Sequence, residues 1–247
     1  MKFKVFKYDK VNSTNIVSHN LAKNGQNNFI VMANTQTDGK GRLNRSWASE
    51  EGGLYLSIVL DISKFEEIAH SNFIASLSVL TTLKEFSSSF NTSDDINYSI
   101  KWPNDILLNN CKICGILSEL NIKENYIVIG IGVNLNNSLG NIDNDCSYKA
   151  ISLNQMFENT EKEQIDKNLF LTRLLSNFTN YLTMNSDDLI NNYKLNSETL
   201  NKNVKIILKD SELTGKVVNI DFNGLYLDTN SDLGIKLIEV GDCIHLR

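Results

Sequence analysis

A chain of 247 residues, 41% hydrophobic and 21% charged, is long enough to bury a sizeable core without disulfides. Its longest apolar runs, such as Ile127 to Val133, fall far short of the roughly 20 residues needed to span a bilayer. A net charge of −5 argues against a general nucleic-acid binder, which needs a basic face to neutralise phosphates, but leaves room for a local cationic pocket.

The amino terminus, Met1-Lys2-Phe3-Lys4-Val5-Phe6-Lys7, alternates cationic and apolar residues as a strand does. It lacks the continuous apolar core of a secretion signal, which predicts a cytoplasmic protein. Ser13-Thr14-Asn15 then opens a helical pattern through Ile16, Leu21 and Ala22 that closes at Gly25, with a hydroxyl cap and a glycine stop. Asn28 to Asn34 and Leu54 to Leu60 read as buried strands separated by a polar loop of a length that is usually functional or disordered.

That loop, Gln36-Thr37-Asp38-Gly39-Lys40-Gly41-Arg42-Leu43-Asn44-Arg45-Ser46-Trp47, combines close glycines, three cations and an indole. Glycines let backbone amides approach a ligand, and arginines fork onto phosphates. No Gly-Lys-Ser/Thr ends it, so it is not a Walker A loop. On its own it fits an anion site and a solvated turn equally well.

Phe65 to Phe86 carries Ile68, Phe73, Leu77, Leu80 and Leu83 at helical spacing, a core-facing stripe. Asn97 to Trp102, Ile106 to Leu108, Cys114 to Ile122 and Tyr126 to Leu135 form a run of strands with turns too short for parallel crossovers, which predicts antiparallel or mixed pairing. Within this run, Lys101-Trp102-Pro103-Asn104-Asp105 gathers a cation, an aromatic ring, an amide and a carboxylate around a proline, and Lys112 and Gly115 follow. A carboxylate can meet Mg²⁺ on a triphosphate and lysines can neutralise phosphoryl charge; a surface turn with an incidental ion pair is the plainer reading. Cys111-x-x-Cys114 lacks the further ligands of a zinc site and, with Cys146 and Cys243, reads as ordinary thiol. Gly130-Ile131-Gly132-Val133-Asn134-Leu135 lacks the third glycine and the following helix of a dinucleotide fingerprint, so a Rossmann fold is rejected.

A helix is predicted over Leu169 to Leu182, with polar, helical chain to about residue 200. Beyond it, Val204 to Leu208, Leu213 to Ile220, Leu225 to Asp228, Gly234 to Glu239 and Cys243 to Leu246 read as short strands punctuated by Gly215, Asn223-Gly224 and Gly241, the pattern of a small β-barrel. Two units are therefore expected, 1–200 and 201–247.

Taken together, Ser13-Thr14-Asn15, Gly39-Lys40-Gly41-Arg42-x-x-Arg45-x-Trp47, Leu54-Tyr55-Leu56-Ser57, Lys101-Trp102-Pro103-Asn104-Asp105, Lys112-x-x-Gly115-Ile116-Leu117-x-Glu119 and Gly130-x-Gly132-Val133-Asn134 resemble the biotin–protein ligase family along residues 8 to 155. The resemblance implies an α+β fold, a mixed or antiparallel sheet flanked by helices of the class II synthetase-like kind, with an SH3-like C-terminal barrel. It implies formation of biotinyl-5′-AMP from biotin and MgATP, then transfer of biotin to a lysine of a carrier protein or domain of an acyl-CoA carboxylase. By the same resemblance Ser13, Thr14 and Gln36 hold the biotin rings, and Gly39, Lys40, Lys112 and Gly115 line that pocket. Arg42, Arg45, Trp47, Asn104, Asp105 and Asn134 serve ATP or the adenylate, with Trp47 near the adenine. Lys112, Arg42 and Asp105 carry the chemistry, and Asp105 holds the metal. The family loop usually has arginine where this chain has Lys40, which keeps the charge and loses the planar fork. Family members often dimerise through sheet edges. Only a dozen residues precede Ser13, which predicts a form without the DNA-binding domain of the repressor members. The rivals are a lipoate–protein ligase and a non-catalytic biotin or nucleotide sensor.

Overall fold

The structure, a computed structural model, describes residues 3–64, 70–88, 96–139, 149–157, 164–229 and 234–246. Five α-helices are present among them: α1 (Thr14–Lys23), α2 (Ser71–Ser87), α3 (Leu153–Met156), α4 (Lys167–Leu182) and α5 (Ser186–Leu195). The strands are β1 (Lys4–Val11), β2 (Phe29–Gln36), β3 (Leu54–Asp61), β4 (Tyr98–Lys101), β5 (Asp105–Leu108), β6 (Cys111–Asn121), β7 (Tyr126–Val133), β8 (Asn203–Ile207), β9 (Glu212–Asp221), β10 (Gly224–Asp228), β11 (Ile235–Ile238) and β12 (Asp242–His245). The helix expected from Phe65 is observed from Ser71, and residues 65–69 lie outside the described residues, as does Cys146. The polar chain toward residue 200 is helical only to Leu195.

The first seven strands form one sheet in the order β1-β2-β3-β7-β6-β5-β4. The helix α1 spans the crossover between β1 and β2, and that pair is parallel. Every other neighbouring pair in the sheet is antiparallel, as the short turns require. On one face Phe29, Val31, Val59, Tyr126 and Val128 pack with Ala22 and, from α1, Val17 and Leu21. On the other, Ile30, Leu56, Ile58, Ile129 and Ile131 pack with Phe73, Leu77 and Leu80 of α2 and Phe170, Leu174 and Phe178 of α4. A central sheet buried on both faces has nearly continuous apolar strands, and β3 shows this, with Leu54 to Leu60 buried throughout. The carboxylate of Asp166 accepts from the amides of Asn168 and Leu169, which fixes where α4 begins.

The last five strands form a separate antiparallel sheet, β11-β10-β9-β8-β12. Its inner side chains, among them Val204, Ile206, Val217, Leu225 and Leu227, join the same apolar cluster as the helices of the larger sheet. Phe222, in the β9–β10 turn, is part of that joint, with its ring 3.6 Å from His70 and 4.9 Å from Phe73 between centroids.

One irregularity positions the site. Between β5 and β6 the register skips Ile113: Ile106 pairs with Cys114 and Leu107 with Lys112. In regular pleat Lys112 and Gly115, three apart, would face opposite sides of the sheet. The bulge restores them to one face, which is the usual consequence of one extra residue in a strand.

Candidate active site

Facing residues across the register give the floor of the site. Gly132 lies opposite Tyr55 and Gly115, and Gly130 opposite Ser57 and Leu117, so Gly115, Gly130 and Gly132 share one face of β6 and β7. This is the face that α1 covers, and the glycines leave a shelf beyond the helix's first turn. Glycine inside a strand marks a place where something approaches closely. A Cβ at Gly115 would sit 2.8 Å from Cζ3 of Trp47, and one at Gly132 would sit 2.5 Å from its Nε1. A Cβ at Gly130 would collide with Oδ1 of Asn15. The indole of Trp47 and the amide of Asn15 therefore lie directly on the shelf.

At the polar end, Gln36 Oε1 accepts from the Thr14 amide at 2.8 Å and from its hydroxyl at 3.2 Å, while Gln36 Nε2 donates to Ser49 Oγ at 2.7 Å. Ser13, 2% exposed, is the N-cap of α1 without a side-chain bond to the helix. At the charged end, Lys112 Nζ lies 2.7 Å from Asp105 Oδ1 and 5.2 Å from the centre of the Trp47 ring.

The 39–47 loop is folded on itself. Trp47 donates its amide to Gly39 O at 2.8 Å, Gly41 donates to Arg45 O at 2.7 Å, and Leu43 and Asn44 take positive φ at 51° and 59°. It also docks on the C-terminal sheet: Arg42 Nη2 donates to Gly241 O at 3.2 Å, and Arg45 is ion-paired with Asp242. The indole Nε1 is buried and finds no hydrogen-bond partner among the described residues, a condition that costs about 1–3 kcal/mol.

Burial lowers the Arg42 pKa, while Asp242 and Asp105 act to raise it and Arg45 to lower it further. Burial likewise lowers the pKa of Lys101, which is 6% exposed, and Asp105 and Asp242 again oppose the shift while Lys112 adds to it. Among the described residues, the cations Arg42, Arg45, Lys101 and Lys112 thus gather around Asp105 and Asp242. Such a site attracts a polyanion and stabilises charge that develops on phosphorus.

The residues singled out from sequence fall into distinct places. Thr14 and Gln36 are joined, as are Trp47, Lys112, Asp105 and Gly115. Lys40 pairs with Asp38 at 2.7 Å on the exposed side of the loop, away from these contacts. Asn104 donates to Ile116 O at 2.7 Å and holds the β4–β5 turn on β6. Asn134, 2% exposed, accepts from Asn137 at 3.1 Å. The Trp47 ring lies on Gly115 and Gly132. Cys114 is fully buried, and burial pushes its thiol pKa up, which makes it a core side chain rather than a nucleophile. Gly241 and Asp242 were not anticipated, since nothing local in Val240-Gly241-Asp242 marks more than a turn before a strand.

A model of the Biotin/lipoate A/B protein ligase family matches residues 5–136. The Bifunctional ligase/repressor BirA of Bacillus subtilis is 30% identical over 247 residues, covering 95% of this chain and 72% of that protein. The chain belongs to the biotin/lipoate A/B protein ligase family. The Biotin--[acetyl-CoA-carboxylase] ligase of Mycobacterium tuberculosis is 26% identical over 227 residues, 88% of this chain and 79% of that one. Among solved structures, the biotin protein ligase from Aquifex aeolicus in complex with biotin and ATP superposes with a TM-score of 0.77 at 27% identity, covering 99% of each chain. The fold of this family is thus present across both sheets. No helix among the described residues is long and apolar enough to cross a membrane.

Proposed function

We propose that the chain is an ATP-dependent biotin–protein ligase, forming biotinyl-5′-AMP and passing the biotinyl group to a lysine of a carboxylase carrier. The observation that carries this is the junction at Lys112: an apolar, glycine-floored shelf with a polar end at Thr14 and Gln36 runs into a cluster of cations. A vitamin with a cyclic urea at one end and a carboxylate at the other matches that order. The Aquifex relative bound to biotin and ATP and the carboxylase-ligase names of other relatives favour biotin over lipoate.

In the first half-reaction a biotin carboxylate oxygen bonds to the α-phosphorus of ATP, and the bond to the bridging oxygen breaks to release pyrophosphate. Two anions must meet, so the barrier is set by repulsion and developing phosphoryl charge. Lys112 sits to bridge the carboxylate and the α-phosphate, and Arg42 and Arg45 to hold the phosphates. Magnesium arrives as the companion of ATP, and such an ion takes one or two protein carboxylates with the rest of its ligands from phosphates and water. Asp105 is the carboxylate that would hold such an ion, whose charge would then screen the triphosphate. In the second half-reaction the carrier lysine's amine attacks the acyl carbon, AMP leaves, and the amine's surplus proton is lost. Trp47 fills the shelf and must lift before biotin enters.

Incubation with biotin, MgATP and a carrier domain, followed by detection of amide-linked biotin, tests the reading. Lys112→Ala should reduce biotin-dependent ATP–pyrophosphate exchange by about 10²–10³, the usual loss for one well-placed charge. Wild-type exchange in that variant, or a wild-type chain that adenylates and never transfers, refutes it.

A further inference from the structure

Beyond Gly132 the shelf ends at a pair of buried amides that the proposed reaction does not use. The Asn134 amide N–H donates to Ile113 O at 2.9 Å, which carries the β6–β7 ladder one residue past Val133. Pleat alternation therefore puts the Asn134 side chain on the face of Gly130 and Gly132, beside Lys112, which the bulge turns to that same face. Asn134 and Asn137 are each 2% exposed, and Asn137 Nδ2 donates to Asn134 Oδ1 at 3.1 Å. The chain leading into Asn137 is braced on two sides. Asn136 donates its amide N–H to Gly52 O at 3.0 Å, and its side chain donates to Ile165 O at 2.9 Å and accepts from the Ile165 amide at 2.8 Å. Gly52, at a φ of 103°, lets the chain pass so near that a Cβ there would lie 2.6 Å from the Asn137 nitrogen.

This packing fixes which end of the Asn134 amide faces the site. Asn137 Oδ1 is buried and has no hydrogen-bond partner among the described residues. Turned over, Asn137 would instead bury its NH₂ without a partner and set oxygen against the Asn134 oxygen, and buried N–H groups are left unpaired more rarely than carbonyl oxygens. Asn134 Oδ1 is thus held toward Asn137 with one lone pair still to offer. Asn134 Nδ2 makes no hydrogen bond among the described residues and is the free donor.

Strand order separates the two sides of the site. Lys112 is on β6, with Asp105 on β5 to one side and Asn134 at the end of β7 to the other. Arg42 and Arg45 gather with Asp105 and Asp242, so a triphosphate whose α-phosphorus sits at Lys112 runs its pyrophosphate toward Asp105 and its nucleoside toward Asn134. An asparagine amide pairs with adenine by donating to N7 and accepting from the 6-amino group, whereas guanine presents an oxygen in place of that amine. We infer that Asn137 is a positioning residue that fixes the Asn134 amide in this polarity, so that the site takes ATP in preference to GTP. This rests on the ATP-dependent reaction proposed above.

The test is biotin-dependent pyrophosphate exchange by the full chain with ATP, GTP and 7-deaza-ATP, in wild type, Asn137→Ala and Asn137→Leu, beside titration with biotin alone. Wild type should use ATP at least about tenfold better by kcat/KM than either analogue, since GTP sets oxygen against oxygen and 7-deaza-ATP lacks the N7 acceptor. Asn137→Ala removes one neutral bond and one unbonded buried oxygen together, effects that offset each other in stability, and Asn137→Leu keeps the volume as well. In both, kcat/KM for ATP should fall about tenfold while GTP and 7-deaza-ATP stay within about twofold and the biotin Kd is unchanged. A role in packing alone would lower all three nucleotides and biotin binding together. Parallel losses of that kind, an unchanged ATP-to-GTP ratio in the variants, or a wild type indifferent to the base overturns the inference. A wild type that forms no biotinyl-5′-AMP from ATP overturns the proposed function instead, and that result appears before any variant is made.

Discussion

Replacing Gly132 and Gly130 in turn by alanine separates what is movable on the shelf from what is fixed. A Cβ at Gly132 lies 2.5 Å from Trp47 Nε1 and 2.7 Å from its Cε2; ordinary contact is about 3.5–4.0 Å, so the indole must retreat by roughly 1 Å. Little resists this. The ring N–H has no partner to lose, and Arg45, which pins the loop to Asp242, is 67% exposed in its side chain. Neither glycine has positive φ, so alanine also stabilises by restricting the unfolded chain, by about 0.4–1 kcal/mol. Gly132→Ala should therefore change stability by less than about 1 kcal/mol, whereas its methyl stands in the ligand's place and should cost more than tenfold in biotin affinity. At Gly130 the obstacle is Asn15, buried and bonded at 2.6 Å on both sides. It has nowhere to go, and overpacking of that kind costs about 1–3 kcal/mol. Urea denaturation and calorimetric titration with biotin measure both quantities. Equal destabilisation by the two substitutions would refute the idea that Trp47 is a displaceable occupant. Wild-type affinity in Gly132→Ala would refute the placement of the ligand.

Asp242→Ala should raise the KM for ATP several-fold by releasing Arg45, with biotin binding in the absence of ATP unchanged and stability lowered by less than about 1 kcal/mol because the pair is exposed on one side; steady-state kinetics at saturating biotin decide it. Thr199 is fully buried, accepts from the Trp102 amide at 3.0 Å and lies 3.1 Å from His245 Nε2, so Thr199→Val should destabilise by about 1–3 kcal/mol in denaturant melts. Burial, aided by Lys101, lowers the His245 pKa to about 4 from 6.5. The folded state thus binds fewer protons than the unfolded state between those values, and its contribution, complete above 6.5, is lost as pH falls toward 4. The shift corresponds to about 3 kcal/mol at most, reduced to about 1–2 by partial exposure. His245→Gln should flatten the acid limb of a stability–pH curve by that amount, and an unchanged limb counts against the assignment.

Much of the fold was legible because turns and periodicity are local properties. The five C-terminal strands were placed within a residue or two by Gly215, Asn223-Gly224 and Gly241, and the short connections between β4 and β7 required the antiparallel order that is found. Gly130-x-Gly132 lies within a strand of an antiparallel sheet rather than at a strand-to-helix turn, and the glycines form the floor of a shelf. What could not be read depends on pairing. The bulge at Ile113 decides whether Lys112 and Gly115 share a face, yet Cys111-Lys112-Ile113-Cys114 carries no mark of it. Asn15 and Ser57 sat inside recognised motifs without a role, because their partners are 104 and 43 positions away in the chain. Gly241 and Asp242 reach the loop only because two sheets pack together, and Trp47 lies on glycines that register alone brings into line.

The chain has two tryptophans, and their settings give it a built-in reporter. Among the described residues Trp47 Nε1 has no hydrogen-bond partner, while Trp102, 4% exposed in the β4–β5 hairpin, is packed in the core. Fluorinating both indoles would give one fluorine resonance that tracks occupancy of the shelf and a second that serves as internal reference. Loop opening could then be timed directly, without attaching a dye.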